Sequence, residues 1–303
     1  MSARPDLSVI VVTHNRPELA VQTLRSAHRA AAGLHVQWLI VDSGSTDGTP
    51  ERIERELPGF GVLRGENVGF AAANNRALPL AMGRYVLLLN PDVEIASGTF
   101  AELLAALDER PEVGVASVIQ QGSDSELQHS IRHYPSPRSA LGEALGLPWE
   151  GWREEARSEE RYRRESPADW LVGAFLIARA EAVHEVGALD ERFFLYSEET
   201  DWCYRAREAG WQIRHLPQMT ITHHNTTSTR PDLVAQLSWA KVLFARKHYR
   251  RWSAATIRIA LATRHLTRAV GLLLLGRPPR ERIEAERHAL AVVVGISSPP
   301  FAP

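Results

Sequence analysis

At 303 residues, with 44% hydrophobic and 23% charged side chains, the chain has the composition of an ordered globular protein rather than a disordered one. The single cysteine, Cys203, excludes an intramolecular disulfide and suits a reducing compartment, and no run approaches the roughly 20 apolar residues that cross a bilayer. The net charge of −1 hides an asymmetry: residues 231–303 hold 12 Lys/Arg against 4 Asp/Glu, which leaves −9 on residues 1–230.

The first half alternates strand and helix signals. An apolar strand at 7–12 ends in Thr13-His14-Asn15-Arg16-Pro17, and Pro17 suits the first turn of a helix running to about Ala32. A second strand at 37–42 runs into the turn Ser43-Gly44-Ser45-Thr46-Asp47-Gly48, then a helix at 49–57. A short strand at 62–63, a helix at 69–82 and the most apolar strand, 85–89, follow; the last stops at Asn90-Pro91-Asp92. A helix at 98–109 and a strand at 113–118 complete the pattern. Near-continuous apolar strands with helical crossovers predict an α/β fold, a mostly parallel sheet flanked by helices. Residues 120–167 are polar, with three prolines, and read as surface loops and short helices. A strand at 169–177, a helix at 180–186, a helix ending near Gly210 and short strands at 212–216 and 219–221 close the body. Residues 1–230 are therefore expected to form the catalytic domain and 231–303 a basic helical appendage.

Each polar motif of the first half follows the C-terminal end of a strand, the edge where open α/β sheets bind ligands. Asp42 there can accept hydrogen bonds from a base or ribose, while the turn after it exposes N–H groups to anions. Asp47 and Thr49 read as structural, an Asx-type turn and cap before Pro50. Asn67, Gly69 and Asn74 sit at a helix start, where they could contact nucleotide or sugar. Asp92 faces the ligand edge, and one carboxylate with pyrophosphate oxygens and water is a common way to hold a hard divalent cation. His223 follows a strand and could add a nitrogen ligand, although His224 beside it leaves the choice between them open. Three carboxylates crowd into Glu198-Glu199-Thr200-Asp201 among aromatic residues; alone, such a cluster fits equally a proton acceptor or cation site and a solvated helix start whose acids favour the helix dipole. Neither a Gly-x-Gly-x-x-Gly fingerprint nor a P-loop lysine is present, which argues against NAD enzymes and NTPases.

Five segments together resemble the family-2 inverting glycosyltransferases, in particular their rhamnosyltransferase-like branch. They are residues 8–16, 41–49, 67–74, 87–92 and 187–201, in order and at family-like spacing. The resemblance implies a GT-A fold that binds a nucleotide-diphosphate sugar. It gives Asp42, Thr13, Asn15, Arg16, Asn67, Gly69, Asn74 and Asn90 to the nucleotide sugar, and Asp92 and His223 to Mg²⁺ or Mn²⁺. Glu199 becomes the catalytic base, Glu198 a further member of the catalytic set and Asp201 its acceptor- or base-orienting carboxylate, and Gly173, Trp170 and Trp202 face the acceptor. Asn90 stands where many members carry Asp, and Glu198-Glu199 where the usual pair is Glu-Asp. The implied reaction is metal-dependent transfer, of rhamnose from dTDP-rhamnose by preference, to a hydroxyl of a glycan, lipid-linked or small-molecule glycoside acceptor in polysaccharide or cell-wall synthesis. An inactive nucleotide-sugar-binding protein and a sugar nucleotidyltransferase are the competing readings.

In the tail, Arg258, Arg264, His265 and Arg268 share an arc of roughly 120°, with Ile259, Leu266, Val270 and Leu273 opposite. Spacing alone fits a basic helix on an anionic leaflet or a helix packing its apolar stripe on the body. Family context favours the membrane surface: a cytoplasmic protein, peripheral on the inner face of the membrane, with no nucleic-acid partner and with room for a homodimer.

Overall fold

The computed structural model describes residues 4–149, 151–224, 230–274 and 279–301. In chain order its elements are β1 (Leu7–Thr13), α1 (Pro17–Ala30), β2 (Val36–Ser43), α2 (Thr49–Glu56), β3 (Val62–Gly65), α3 (Phe70–Ala77), β4 (Tyr85–Leu89), β5 (Val93–Ser97), α4 (Phe100–Asp108) and β6 (Val113–Gln121). There follow β7 (Ile131–Arg132), α5 (Pro137–Ala144), α6 (Glu160–Arg163), β8 (Ser166–Pro167), β9 (Trp170–Leu171), β10 (Phe175–Arg179), α7 (Ala180–Val186), α8 (Glu198–Glu208), β11 (Gln212–His223), α9 (Pro231–His248), α10 (Arg251–Leu274) and α11 (Arg280–Val294). Two compact units result: Met1–Arg132, Ser158–Glu191 and Glu199–Thr226 in the larger, and His133–Arg157, Arg192–Glu198 and Thr227–Pro303 in the smaller.

The larger unit is built on a sheet of order β3-β2-β1-β4-β10-β6-β11-β5, with β8 against β11. Parallel pairing holds through β3-β2-β1-β4 and again between β6 and β11, while β10 and β5 enter antiparallel. All seven residues of β1 are buried, as a central strand covered on both faces requires. Pro17 opens α1, and Thr99 and Glu102 close a capping box on α4.

The structure departs from the sequence pattern where local signals are weakest. The apolar run 169–177 is two strands, β9 and β10, separated by Val172-Gly173-Ala174. The helix expected over 69–82 ends at Ala77, and Leu78–Leu80 form a 3₁₀ turn around Pro79. Strands expected at 212–216 and 219–221 are one strand, β11, whose register against β6 shifts between His215 and Thr220, where Pro217 cannot donate to the ladder. β5 has no strong sequence signal. Two buried hydroxyls of α1 stabilise it, Thr23 accepting from the Val93 N–H (3.1 Å) and Ser26 from that of Ile95 (3.1 Å).

In the smaller unit, α9, α10 and α11 pack together with α5. The basic arc of α10 is turned inward, so it is not the side this helix presents to solvent. Arg264 donates to Glu143 (2.8 Å), and His265 lies between Ser238 (2.9 Å) and Glu286 (2.6 Å). Arg258 donates to the Val293 carbonyl (2.6 Å), and Lys241 meets Glu154 at 2.8 Å. Charges this deep persist because acids from α5, α11 and the 145–157 segment pair with them. The apolar side of α10, expected to pack inward if not on a membrane, is exposed instead. These helices also hold the segment ahead of α8: Lys247 lies 5.9 Å from the Phe193 ring, Phe301 stacks on Phe194 at 5.4 Å, and Gln236 donates to the Leu195 carbonyl (3.5 Å).

Candidate active site

Parallel register places Thr13 and Asp42 side by side at the C-terminal ends of β1 and β2. Asp42 Oδ2 accepts from the Ser45 N–H (3.0 Å). Asp42 Oδ1 and the Thr13 hydroxyl are buried with no hydrogen-bond partner among the described residues. Unsatisfied buried polar atoms are costly, so two together at a ligand edge mark a place where a polar ligand completes the pairing.

The loops around them are braced on each other. Asn15, at φ 52°, takes the left-handed conformation that Asn tolerates; its N–H donates to Ser45 Oγ (2.9 Å), and its Oδ1 accepts from the Thr46 N–H (2.8 Å). The Arg16 N–H donates to Thr49 Oγ1 (3.2 Å), and Asp47 accepts from the Thr49 N–H (3.1 Å). Gly44, at φ +71°, approaches the Asn67 backbone so closely that a β-carbon would lie 2.8 Å from its nitrogen. Asn67 Oδ1 accepts from the Gly69 N–H (3.3 Å), and the buried Asn74 donates to the Phe70 carbonyl (2.8 Å). Asn15, Asn67 and Asn74 thus have structural bonds of their own.

In the turn between β4 and β5, Asp92 is 7% exposed, with Oδ1 3.4 Å from His223 Nε2 and Oδ2 3.9 Å from Arg16 Nη1. Gln128 sets the imidazole. Its amide N–H₂ donates to the His223 carbonyl (3.0 Å), which turns Oε1 onto Nδ1 (3.2 Å) and assigns the proton there. In neutral His223 the Nε2 lone pair then faces a carboxylate oxygen, and two acceptors so close fit a cation between them. The oxygen and nitrogen donors suit Mg²⁺ or Mn²⁺. Among the described residues no group of three or more His, Cys, Asp or Glu could hold a metal, so other positions would fall to substrate and water. His224 is directed elsewhere, to Ser123 (3.0 Å) and Glu94 (3.6 Å). Gln128 carried no sequence signal, lying in a polar stretch without a motif.

The chain two residues before Asp92 is tied by one hydrogen bond to the segment that runs past the acidic cluster. The Asn90 N–H donates to the Ala174 carbonyl (2.9 Å), and a β-carbon on adjacent Gly173 would lie 3.5 Å from Cβ and Cγ of Glu199. Of the three carboxylates, Glu198 is 4% and Asp201 0% exposed, while Glu199 is half-buried. Asp201 accepts from Arg205 Nε (2.9 Å), and Arg205 also donates to the carbonyls of Val186 (2.6 Å) and Ala188 (2.7 Å). Trp202 is 3% exposed and donates its Nε1–H to the Gly187 carbonyl (2.8 Å). Trp202 therefore leaves the acceptor set: its indole is enclosed, and it helps Arg205 dock α8 on residues 186–188. Trp170 stays half-buried, 5.9 Å from the Arg132 guanidinium. Ahead of α8, Tyr196 (φ 72°) and Ser197 (φ 66°) are both left-handed, a strained pair at the entrance to the cluster.

The chain is 29% identical to a Mycobacterium tuberculosis N-acetylglucosaminyl-diphospho-decaprenol L-rhamnosyltransferase, over 93% of this chain and 99% of that protein. It is 20% identical to the Escherichia coli rhamnosyltransferase WbbL, over 76% of this chain and 88% of the relative. Among solved structures, a Pyrobaculum calidifontis mannosyltransferase in complex with GDP-Man and Mn²⁺ aligns over 97% of this chain and 87% of its own, with a TM-score of 0.57 at 17% identity, a likeness of fold. Residues 8–186, more than half of the chain, match the model of glycosyl transferase family 2; the chain belongs to that family and is a rhamnosyltransferase-like glycosyltransferase with the GT-A fold.

Proposed function

We propose that the protein transfers rhamnose, with inversion, from dTDP-rhamnose to a sugar hydroxyl of a lipid-diphosphate-linked acceptor, using a divalent cation. The observation that carries this reading is the Asp92–His223 pair, two residues along the chain from Asn90, whose N–H donates to the Ala174 carbonyl next to Gly173, the glycine that faces Glu199. The name of the Mycobacterium tuberculosis relative, similar along nearly its whole length, supports both the rhamnosyl donor and the polyprenyl-diphosphate acceptor.

In this mechanism Thr13 and Asp42 bind the nucleoside, and Arg16 lies toward the diphosphate. Asp92 and His223 would hold the cation, which when bound offsets charge on the departing diphosphate. Glu199, the most accessible carboxylate of the cluster, takes the acceptor proton as the acceptor oxygen bonds to the anomeric carbon. The bond from that carbon to the diphosphate oxygen breaks on the opposite face, and the nucleoside diphosphate leaves. Asp201 acts on position only, through Arg205. Gly173 leaves room for the acceptor beside Glu199.

The test is release of nucleoside diphosphate from a panel of nucleotide sugars, with a polyprenyl-diphosphate N-acetylglucosamine acceptor, in Mg²⁺, Mn²⁺ or EDTA. Fastest acceptor-dependent release from dTDP-rhamnose, abolished by EDTA, is expected. Donor binding with neither transfer nor hydrolysis would favour an inactive binding protein.

A further inference from the structure

α10 is amphipathic but oriented with its polar side in and its apolar side out. Trp252 (86% exposed), Ile259 (66%), Leu266 (52%), Val270 (45%), Leu273 (62%) and Leu274 (82%) project outward. At 100° per residue they fall within an arc of roughly 100°, one continuous stripe along a helix about 36 Å long. No charged residue interrupts it, and nothing among the described residues covers it.

The orientation is locked. Turning the stripe inward would pull Arg264 from Glu143, His265 from Ser238 and Glu286, and Arg258 from the Val293 carbonyl. It would also strand Glu143 and Glu286, both largely buried, without those partners. The internal ion pairs therefore hold the apolar stripe in water, where it remains unfavourable until something dry meets it.

Charge selects the occupant. Exposed Arg250 and Arg251 stand at one end of the stripe, and residues 233–279 contain no Asp or Glu. A second copy laid on the same face would set arginines near arginines with no acid of either helix to pair them. An anionic bilayer offers acyl chains to the stripe and phosphates to Arg250 and Arg251. No described helix is long and apolar enough to cross a membrane, so the contact lies in the interfacial plane.

We propose that α10 docks the protein on anionic phospholipid through this apolar stripe, with the internal ion pairs of α10 fixing which side faces the lipid. The docking is independent of the sugar chemistry, so loss of transfer to any acceptor would leave it untouched.

The experiment is co-sedimentation of the full chain with phosphatidylcholine vesicles, with and without phosphatidylglycerol, at low and high salt. The wild type is expected to pellet with the anionic vesicles and to keep part of that binding at high salt. Paired substitution Ile259→Glu and Leu266→Glu, at exposed positions, should weaken partitioning by roughly tenfold or more with an unchanged thermal midpoint. Trp252→Ser gives an independent, smaller loss. Paired Arg250→Gln and Arg251→Gln should remove the salt-sensitive part alone. Equal pelleting of the wild type and the Ile259→Glu/Leu266→Glu variant would overturn the proposal. So would a wild type that ignores vesicles, whether it scatters light as a monomer or as a dimer split by those substitutions.

Discussion

Replacing Asp201 by Asn separates a positioning role from a chemical one. The Asp201 side chain is fully enclosed and sits 2.9 Å from Arg205 Nε, whose own side chain is 25% exposed. Breaking a fully buried charge pair costs about 3–5 kcal/mol. Solvent reaches Arg205, and Asn keeps one acceptor oxygen, so a loss of about 2 kcal/mol is the better figure. In a unit of this size that is a fall in Tm of about 4–8 °C. Thermal melts read the first quantity, and initial-rate transfer assays well below the melt read the second. The expected result is a clear drop in Tm with kcat reduced by less than about tenfold and donor affinity unchanged, well short of losing a general base. An unchanged Tm with transfer abolished would refute the reasoning and make Asp201 the proton acceptor.

Glu199→Gln keeps the shape of the side chain but cannot take a proton, so transfer should fall by about 10²–10⁴ while donor affinity, measured by calorimetry, holds. Gln128→Leu frees the imidazole of His223, and the divalent cation concentration for half-maximal transfer should rise about tenfold or more. Gly44→Ala meets both a positive φ and the Asn67 backbone, so nucleotide affinity and Tm should fall together. Burial holds the His215 pKa below its usual value, its ring donating to the Tyr162 carbonyl at 3.0 Å. The unfolded chain then binds the extra proton first, so stability is full above the unfolded value of about 6.5 and is lost as pH falls below it. His215→Gln should flatten that acid limb in urea titrations. The Cys203 thiol is pushed up to about 12, chiefly by burial, so it should resist alkylation at pH 8 until denaturant is added.

Elements whose residues alone determine their burial were legible in the sequence. The apolar strands at 7–12, 37–42 and 85–89 carried their own burial signal, and each led directly into or ended on a polar residue, Thr13, Asp42 or Asn90, at the C-terminal edge of the sheet. Elements completed by distant partners were not legible. β5 depends on Thr23 and Ser26 of α1 for part of its hydrogen bonding, and β11 continues past Pro217 because β6 realigns beside it. The acidic cluster was visible, but the enclosure of Asp201 was not, because it depends on Arg205 and on the carbonyls of Val186 and Ala188 to which Arg205 donates. Spacing in α10 defined two faces, yet only Glu143 and Glu286, far along the chain, could say which faces inward.

The grip of the C-terminal helices on Phe193, Phe194 and Leu195 means that the tail cannot be treated as a detachable handle. A chain cut after residue 230 would lose Lys247, Phe301 and Gln236, and with them the clasp on the residues that feed the left-handed Tyr196-Ser197 corner. Its silence in an activity assay would report the lost clasp on Phe193, Phe194 and Leu195 and would carry no information about lipid.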